Sequence, residues 1–320
     1  MISINKNTMP KVRYLIEHAE ELGCRYFTLK NGAHVVDMGI HEKGGFEAGK
    51  LFTEITMANL STCQFTNYTL SGGISVMAVE VYTSEPILAC LCSQIAGYPL
   101  SSGSFSTIGS GPARAKAALA RDHCFDYTDY RDTSDEVILG IQANNLPDEA
   151  MAEQIATECQ VETKDVYILA HKTNSIVASV QVSARILEQT INKMIKKGFD
   201  LNTLQYARGL CLVAPVDLDP EAAMGKINDA LLYGGQSEFW VKWEDEKIKE
   251  ILPKLVTESS KDYGRLFREL FVEAERDFYK MDLDIHSPAM VQIANLNTGH
   301  LFKAGQMRED LIKKSFFDID

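Results

Sequence analysis

The sequence predicts an α/β protein of two domains, and three observations carry that expectation. Apolar residues recur at steps of three and four in some stretches and alternate in others, the periods of helix and strand. From 137 to 215 the two patterns take turns: strand at 137–142, helix at 147–158, strand at 166–170, helix at 175–198 and strand at 204–215. That βαβαβ order predicts parallel strands with crossover helices and ligand sites at the strand carboxyl ends. Finally, 320 residues can bury one big or two medium cores, and the composition turns acidic and polar around 126–135. The expected division is therefore an N-terminal α/β domain over 1–130 and a C-terminal α/β domain over 131–320. This reading leaves room for part of the C-terminal segment to return to the first domain, and it expects a substrate pocket between the two.

In chain order, residues 10–22 read as an amphipathic helix through Val12, Leu15, Ile16, Ala19 and Leu22, opened by Pro10 and closed by Gly23. Asn31-Gly32 between 26–30 and 33–37 predicts a β-hairpin. Gly44 and Gly45 lead into a helix over 46–60, and strands follow at 64–70 and 74–82 around a Ser-Gly-Gly turn. Ser84 and Pro86 open a short apolar helix over 85–96. Beyond the βαβαβ stretch come a helix at 221–233, a strand at 238–243, charged helices at 245–255 and 264–276, and a closing hairpin through Asn297-Thr298-Gly299. Trp240 and Trp243 are expected to pack or to anchor an interface.

Forty-five per cent hydrophobic and 24% charged residues describe an ordinary soluble composition. No apolar run reaches the ~20 residues of a membrane span, and the amino terminus lacks a secretory hydrophobic region, so a cytoplasmic protein is expected. A net charge of -12 argues against nucleic-acid binding. The seven cysteines contain no C-x-x-C pair and the seven histidines no H-E-x-x-H spacing, which predicts buried thiols and no metal. An anionic ligand then needs a locally basic pocket.

The stretch 175–198 organises the chain. Val177, Val180, Ala184, Leu187, Ile191 and Met194 form one apolar helical face, and Gly198 can provide the left-handed cap after Lys193, Lys196 and Lys197. Beside that face runs a polar stripe of Gln181, Arg185, Glu188 and Asn192. One reading is a solvated face with a surface ion pair. The other is a carboxylate steered by a guanidinium at a pocket wall, suited to activating water. Small residues in the first half of the stretch, and an Arg-before-Glu order that does little for helix stability, favour the second. A further candidate is 109–114, where Gly109, Ser110 and Gly111 precede Pro112 and Arg114. Backbone N–H groups at such a helix entry can face an anion, although the same pattern also makes a simple tight turn.

The segment SIVASVQVSARILEQTINKM resembles a helix of the methenyltetrahydromethanopterin cyclohydrolases. LKNGAHVVDMG, ILACLCSQIAGY, GSGPARA, NNLPDE, AMGKINDALLYGG, SKDYG and DFYKMD also resemble that family's landmarks, in the family's order and over almost the whole chain. The resemblance implies a cyclohydrolase of one-carbon metabolism, acting on a tetrahydromethanopterin-type pterin without cofactor or metal and assembling as a homotrimer. It implies Glu188 as the acid/base and Arg185 as the group that orients it. By the same resemblance Gln94, Ser110, Gly111, Arg114, Gln181, Asn228 and Asp229 contact substrate, with the 109–114 turn at its phosphate. On a carboxylate so placed two general effects oppose each other, since a neighbouring guanidinium favours the charged form and burial under a bound pterin disfavours it. This chain departs from the archaeal pattern at Ile95, where S-Q-K-A-G-W carries a lysine, at Thr56 to Leu60, and at Lys261 in place of arginine. The alternative expectation is a divergent paralogue that binds a pterin or another phosphorylated ligand without rapid hydrolysis.

Overall fold

The computed structural model describes residues 2–103, 105–117, 123–277, 280–282 and 284–318. Phe278 and Tyr279 of the DFYKMD landmark lie outside the described residues. In chain order the elements are α1 (Ile4–Glu17), β1 (Arg25–Thr28), β2 (His34–Asp37), α2 (Phe46–Thr56), β3 (Ser61–Leu70), β4 (Ile74–Thr83), a π-helix (Ile87–Gln94), β5 (Tyr98–Ser102), β6 (Phe105–Ser110) and α3 (Ala113–Ala117). They continue with β7 (Val137–Gln142), α4 (Glu149–Cys159), β8 (Val166–His171), α5 (Ile176–Ser183), α6 (Ile186–Lys197), β9 (Leu204–Leu212), α7 (Pro220–Gly234) and β10 (Gln236–Val241). The last elements are α8 (Asp245–Ile251), α9 (Phe267–Glu273), β11 (Met290–Asn295), β12 (Leu301–Gly305) and α10 (Glu309–Phe317).

The α/β class holds, and each of two compact units is built on a six-stranded mixed sheet. The units comprise 1–62 with 87–181, and 63–86 with 182–320. The single boundary expected near 130 thus falls inside the first unit, and the observed division lies at 62/63, 86/87 and 181/182. An acidic stretch was a poor guide because 126–135 is tied down: Asp132 accepts from Asn5 N in the first helix and from the hydroxyl of Ser3, which precedes that helix.

The first unit orders its strands β1-β2-β8-β7-β6-β5. β2, β8 and β7 run parallel, and apolar residues on both of their faces are buried, as parallel strands require. Val137, Leu139 and Ile141 meet α4 residues Met151, Ala152 and Ile155, while Ile138 and Leu169 join Met9, Val12, Leu51 and Phe52 of α1 and α2. The hairpin of β1 and β2 turns at Asn31-Gly32 as expected, with Thr28 opposite His34 and Gly32 at φ +89°. Helix α1 begins six residues before Pro10, because Ser3 caps it by accepting from Lys6 N. Pro10 sits on the exposed side of that helix, where the Lys6 carbonyl left without an N–H partner is open to water.

The second unit orders its strands β12-β11-β10-β9-β4-β3. Here the βαβαβ expectation fails at its last step: β7 and β8 are parallel neighbours, but β9 belongs to the other sheet and pairs antiparallel with β4 and β10. The stretch expected as one helix over 175–198 is two, and the division between the units falls within it at 181/182. Ser183 donates its hydroxyl to Leu212 O and the Arg185 N–H closes a three-residue turn onto Val182 O, so α5 ends and α6 starts afresh. Gly209 then lets α6 lie close on β9, since a Cβ there would stand 2.4 Å from the Ile186 side chain. One sheet face takes the buried Cys211, Phe239, Val291 and Ile293. Its other face presents Tyr82, Tyr206, Trp240 and Leu301, none of them buried, with Trp240 opposite Tyr206 in register. No helix among the described residues is long and apolar enough to cross a membrane.

Candidate active site

The break at 184–185 changes what the charged pair is. Arg185 occupies the N-cap position of α6 and Glu188 its first turn, three residues on. A carboxylate there lies in the favourable field of the helix amino terminus, and the Arg185 Nη1 stands 3.2 Å from Glu188 Oε2. Glu188 is only 9% exposed, so the solvated-face reading does not describe it. An ion pair so poorly hydrated is costly unless its geometry is held, and here the helix itself is fixed. Thr190 shares a 2.7 Å hydrogen bond with Ser237 of β10, and the fully buried Lys193 donates to both the backbone and the carboxylate of Asp284, each at 2.8 Å. Lys197 binds the second Asp284 oxygen at 2.9 Å. The arrangement can position a water, take its proton and hold the resulting charge.

Four of the remaining predicted residues gather in the first unit around the π-helix, which replaces the α-helix expected over 85–96. Gly111, at φ +136°, donates its N–H to Ser93 O, Ser110 donates its hydroxyl to Gln94 O, and Arg114 donates through Nη1 to Leu91 O and Ser93 O. These donors satisfy carbonyls at the end of the π-helix, and Arg114 is 1% exposed. Gln181 sits near the end of α5, its amide 3.4 Å from the Gln142 side chain, which in turn donates to Thr173. Gln142 and Thr173, at the carboxyl ends of β7 and β8, were not singled out in the sequence; the strand–helix alternation there was the available signal.

On α7, Asn228 donates to the Met224 carbonyl one turn back. Asp229 is 2% exposed and accepts from Phe267 N at the start of α9 and from the Ser315 hydroxyl of α10. Burial pushes its pKa up to about 7, against the lowering effect of those two hydrogen bonds. All seven cysteines are buried, and burial holds the thiols of Cys24, Cys159 and Cys211 up at about 12, far from thiolate chemistry. Among the described residues no three His, Cys, Asp or Glu side chains gather as a metal-binding group.

The likeness to known proteins runs over nearly the whole chain. The family model described as Cyclohydrolase (MCH) matches residues 3–316. The chain is 38% identical over 324 residues to a methenyltetrahydromethanopterin cyclohydrolase of Methanocaldococcus jannaschii, across 98% of each chain. It is 39% identical over 318 residues to the one of Methanococcus maripaludis, again across 98% of each, and 38% identical over 320 residues to that of Methanobrevibacter smithii, across 99% of each.

Proposed function

The chain belongs to the methenyltetrahydromethanopterin cyclohydrolase family, and from that premise we propose that it hydrolyses, reversibly, the N5,N10-methenyl bridge of a tetrahydromethanopterin-type pterin to the N5-formyl form. The observation that carries this reading is the likeness to named cyclohydrolases across 98% of the chain. The substrate brings its own electrophile, an amidinium carbon between two nitrogens. Water adds to that carbon, one water proton passes to a base and from it to N10, the C–N10 bond breaks, and the second proton leaves as the formyl C=O forms. This sequence asks the protein for positioning and proton transfer and needs neither metal nor nucleotide.

Glu188 is the proposed base and acid, and Arg185 the cation that aims it. Their support is the 3.2 Å contact in a nearly buried setting and the pinned helix beneath them. We assign Gln94, Ser110, Gly111 and Gln181 to substrate contact on the resemblance. Arg114 serves them by fastening the turn to the π-helix, and Asn228 and Asp229 serve by shaping α7. The assembly is proposed as a homotrimer in the cytoplasm. The exposed or half-buried Tyr82, Tyr206, Trp240 and Leu301 share their sheet face with Arg208, which ion-pairs Glu80 and Glu238, and such a mix of aromatic and arginine side chains supports self-association. Light scattering that gives a monomer across a range of concentrations contradicts it. The activity itself is tested by adding the protein to the methenyl pterin and following the methenyl absorbance. Its rapid loss is expected, and a stable signal refutes hydrolysis.

A further inference from the structure

Helix α6 carries more polar surface than the ion pair uses. Viewed down a helix at ~100° per residue, Asn192 projects between Glu188 and Gln189, close to the direction of Arg185, so the four make one polar sector. The Asn192 Oδ1 is buried and has no hydrogen-bond partner among the described residues. A buried acceptor left so is unusual, since most such atoms are paired and leaving one unpaired destabilises the fold. Its position gives it a use: Asn192 is four residues after Glu188, and side chains at that spacing are neighbours ~5–6 Å apart on the helix surface. That spacing is between Cβ atoms, and it lets the two terminal oxygens reach one water molecule from either side.

We propose that Asn192 is a further catalytic residue, whose Oδ1 accepts one hydrogen of the attacking water while Glu188 accepts the other. This rests on the Glu188 reading given above. With both hydrogens engaged, an oxygen lone pair is directed outward from the helix toward the substrate carbon. The O–C bond forms as the proton on the Glu188 side moves to that carboxylate and later to N10. The hydrogen on the Asn192 side stays with oxygen until the C–N10 bond breaks, and it is then lost to solvent as the formyl C=O appears. Gln189, whose Oε1 is also buried and lacks a partner among the described residues, projects ~100° from Glu188 and is too far around the helix to share that water.

The test compares Asn192→Leu, which keeps the volume and removes the acceptor, with Asn192→Ala, which guards against a packing failure, and runs Glu188→Gln beside them. The proposal expects kcat to fall about tenfold or more in both Asn192 variants, the value of one lost hydrogen bond to a reacting group, with KM within about twofold. The melting temperature stays level or rises, because an unpaired buried acceptor has been removed. Turnover within about twofold of the native protein in a folded Asn192 variant, or a change confined to KM, overturns the proposal while Glu188→Gln is impaired. Unimpaired Glu188→Gln instead overturns the reading on which it rests.

Discussion

Arg185 and Glu188 meet at 3.2 Å across the first turn of α6, one as the helix cap and the other three residues inside. Read as the middle of a long helix, this order of charges is a poor stabilising pair. Read at a helix start, the carboxylate gains from the helix amino terminus and from the guanidinium together.

If Glu188 is the base proposed above, removing the cation disturbs that base more than the fold. Arg185→Ala is expected to lower kcat about tenfold or more, in keeping with ~1.5–3 kcal/mol for a hydrogen bond to a charged group. Arg185→Lys restores charge but not the planar fork and recovers only part of the loss. Steady-state kinetics of the two variants check this, and equal activity of both with the native protein counts against the pairing.

Arg114→Ala takes away a guanidinium that binds Leu91 O and Ser93 O. The melting temperature falls, because two buried carbonyls lose a donor. KM for a phosphorylated pterin and for an analogue lacking the phosphate then change alike. A rise confined to the phosphorylated substrate places the phosphate against Arg114 directly.

Asp229 makes stability depend on pH. Its pKa stands near 7 in the folded chain, well above that of an exposed aspartate, so between roughly pH 4 and pH 7 the native state holds a proton that the unfolded state has lost. Stability from this group is full below that window and declines as pH rises through it, levelling off above pH 7. Asp229→Asn keeps an acceptor for Phe267 N and a donor for Ser315 while removing the buried charge. Thermal melts from pH 4 to pH 8 are expected to show a flatter profile and a higher melting temperature at pH 8 than the native protein. An unchanged profile removes Asp229 from that dependence.

Much of the fold was legible. Asn31-Gly32 fixed its hairpin, Asn297-Thr298-Gly299 the last one, and the alternation through 137–171 gave the parallel pair β7 and β8. The break in 175–198 was not, because the apolar spacing from Val177 to Met194 runs through it unaltered. The interruption comes from a hydrogen bond between Ser183 and Leu212, a contact set by tertiary structure. The same holds for β9, whose own pattern fits either sheet and whose partners β4 and β10 decide. The hairpin of β5 and β6, rich in serine and glycine, offered too weak a period to be singled out, whereas α10, which buries Leu311, Ile312 and Phe316 at helical spacing, was legible and was passed over. At the candidate site the residue types Arg185 and Glu188 were readable, but the burial of Arg114 and Asp229, which turns their polar groups inward, depends on neighbours distant in sequence.

The central claim is that Glu188 moves the proton in this reaction. The most direct measurement is the turnover of Glu188→Gln, followed by the methenyl absorbance, together with the affinity of the variant for the pterin. A drop of ~10²- to 10⁴-fold in kcat, the usual contribution of a general acid/base, with binding and fold retained is the predicted result. Turnover within about threefold of the native protein, far below that contribution, contradicts it.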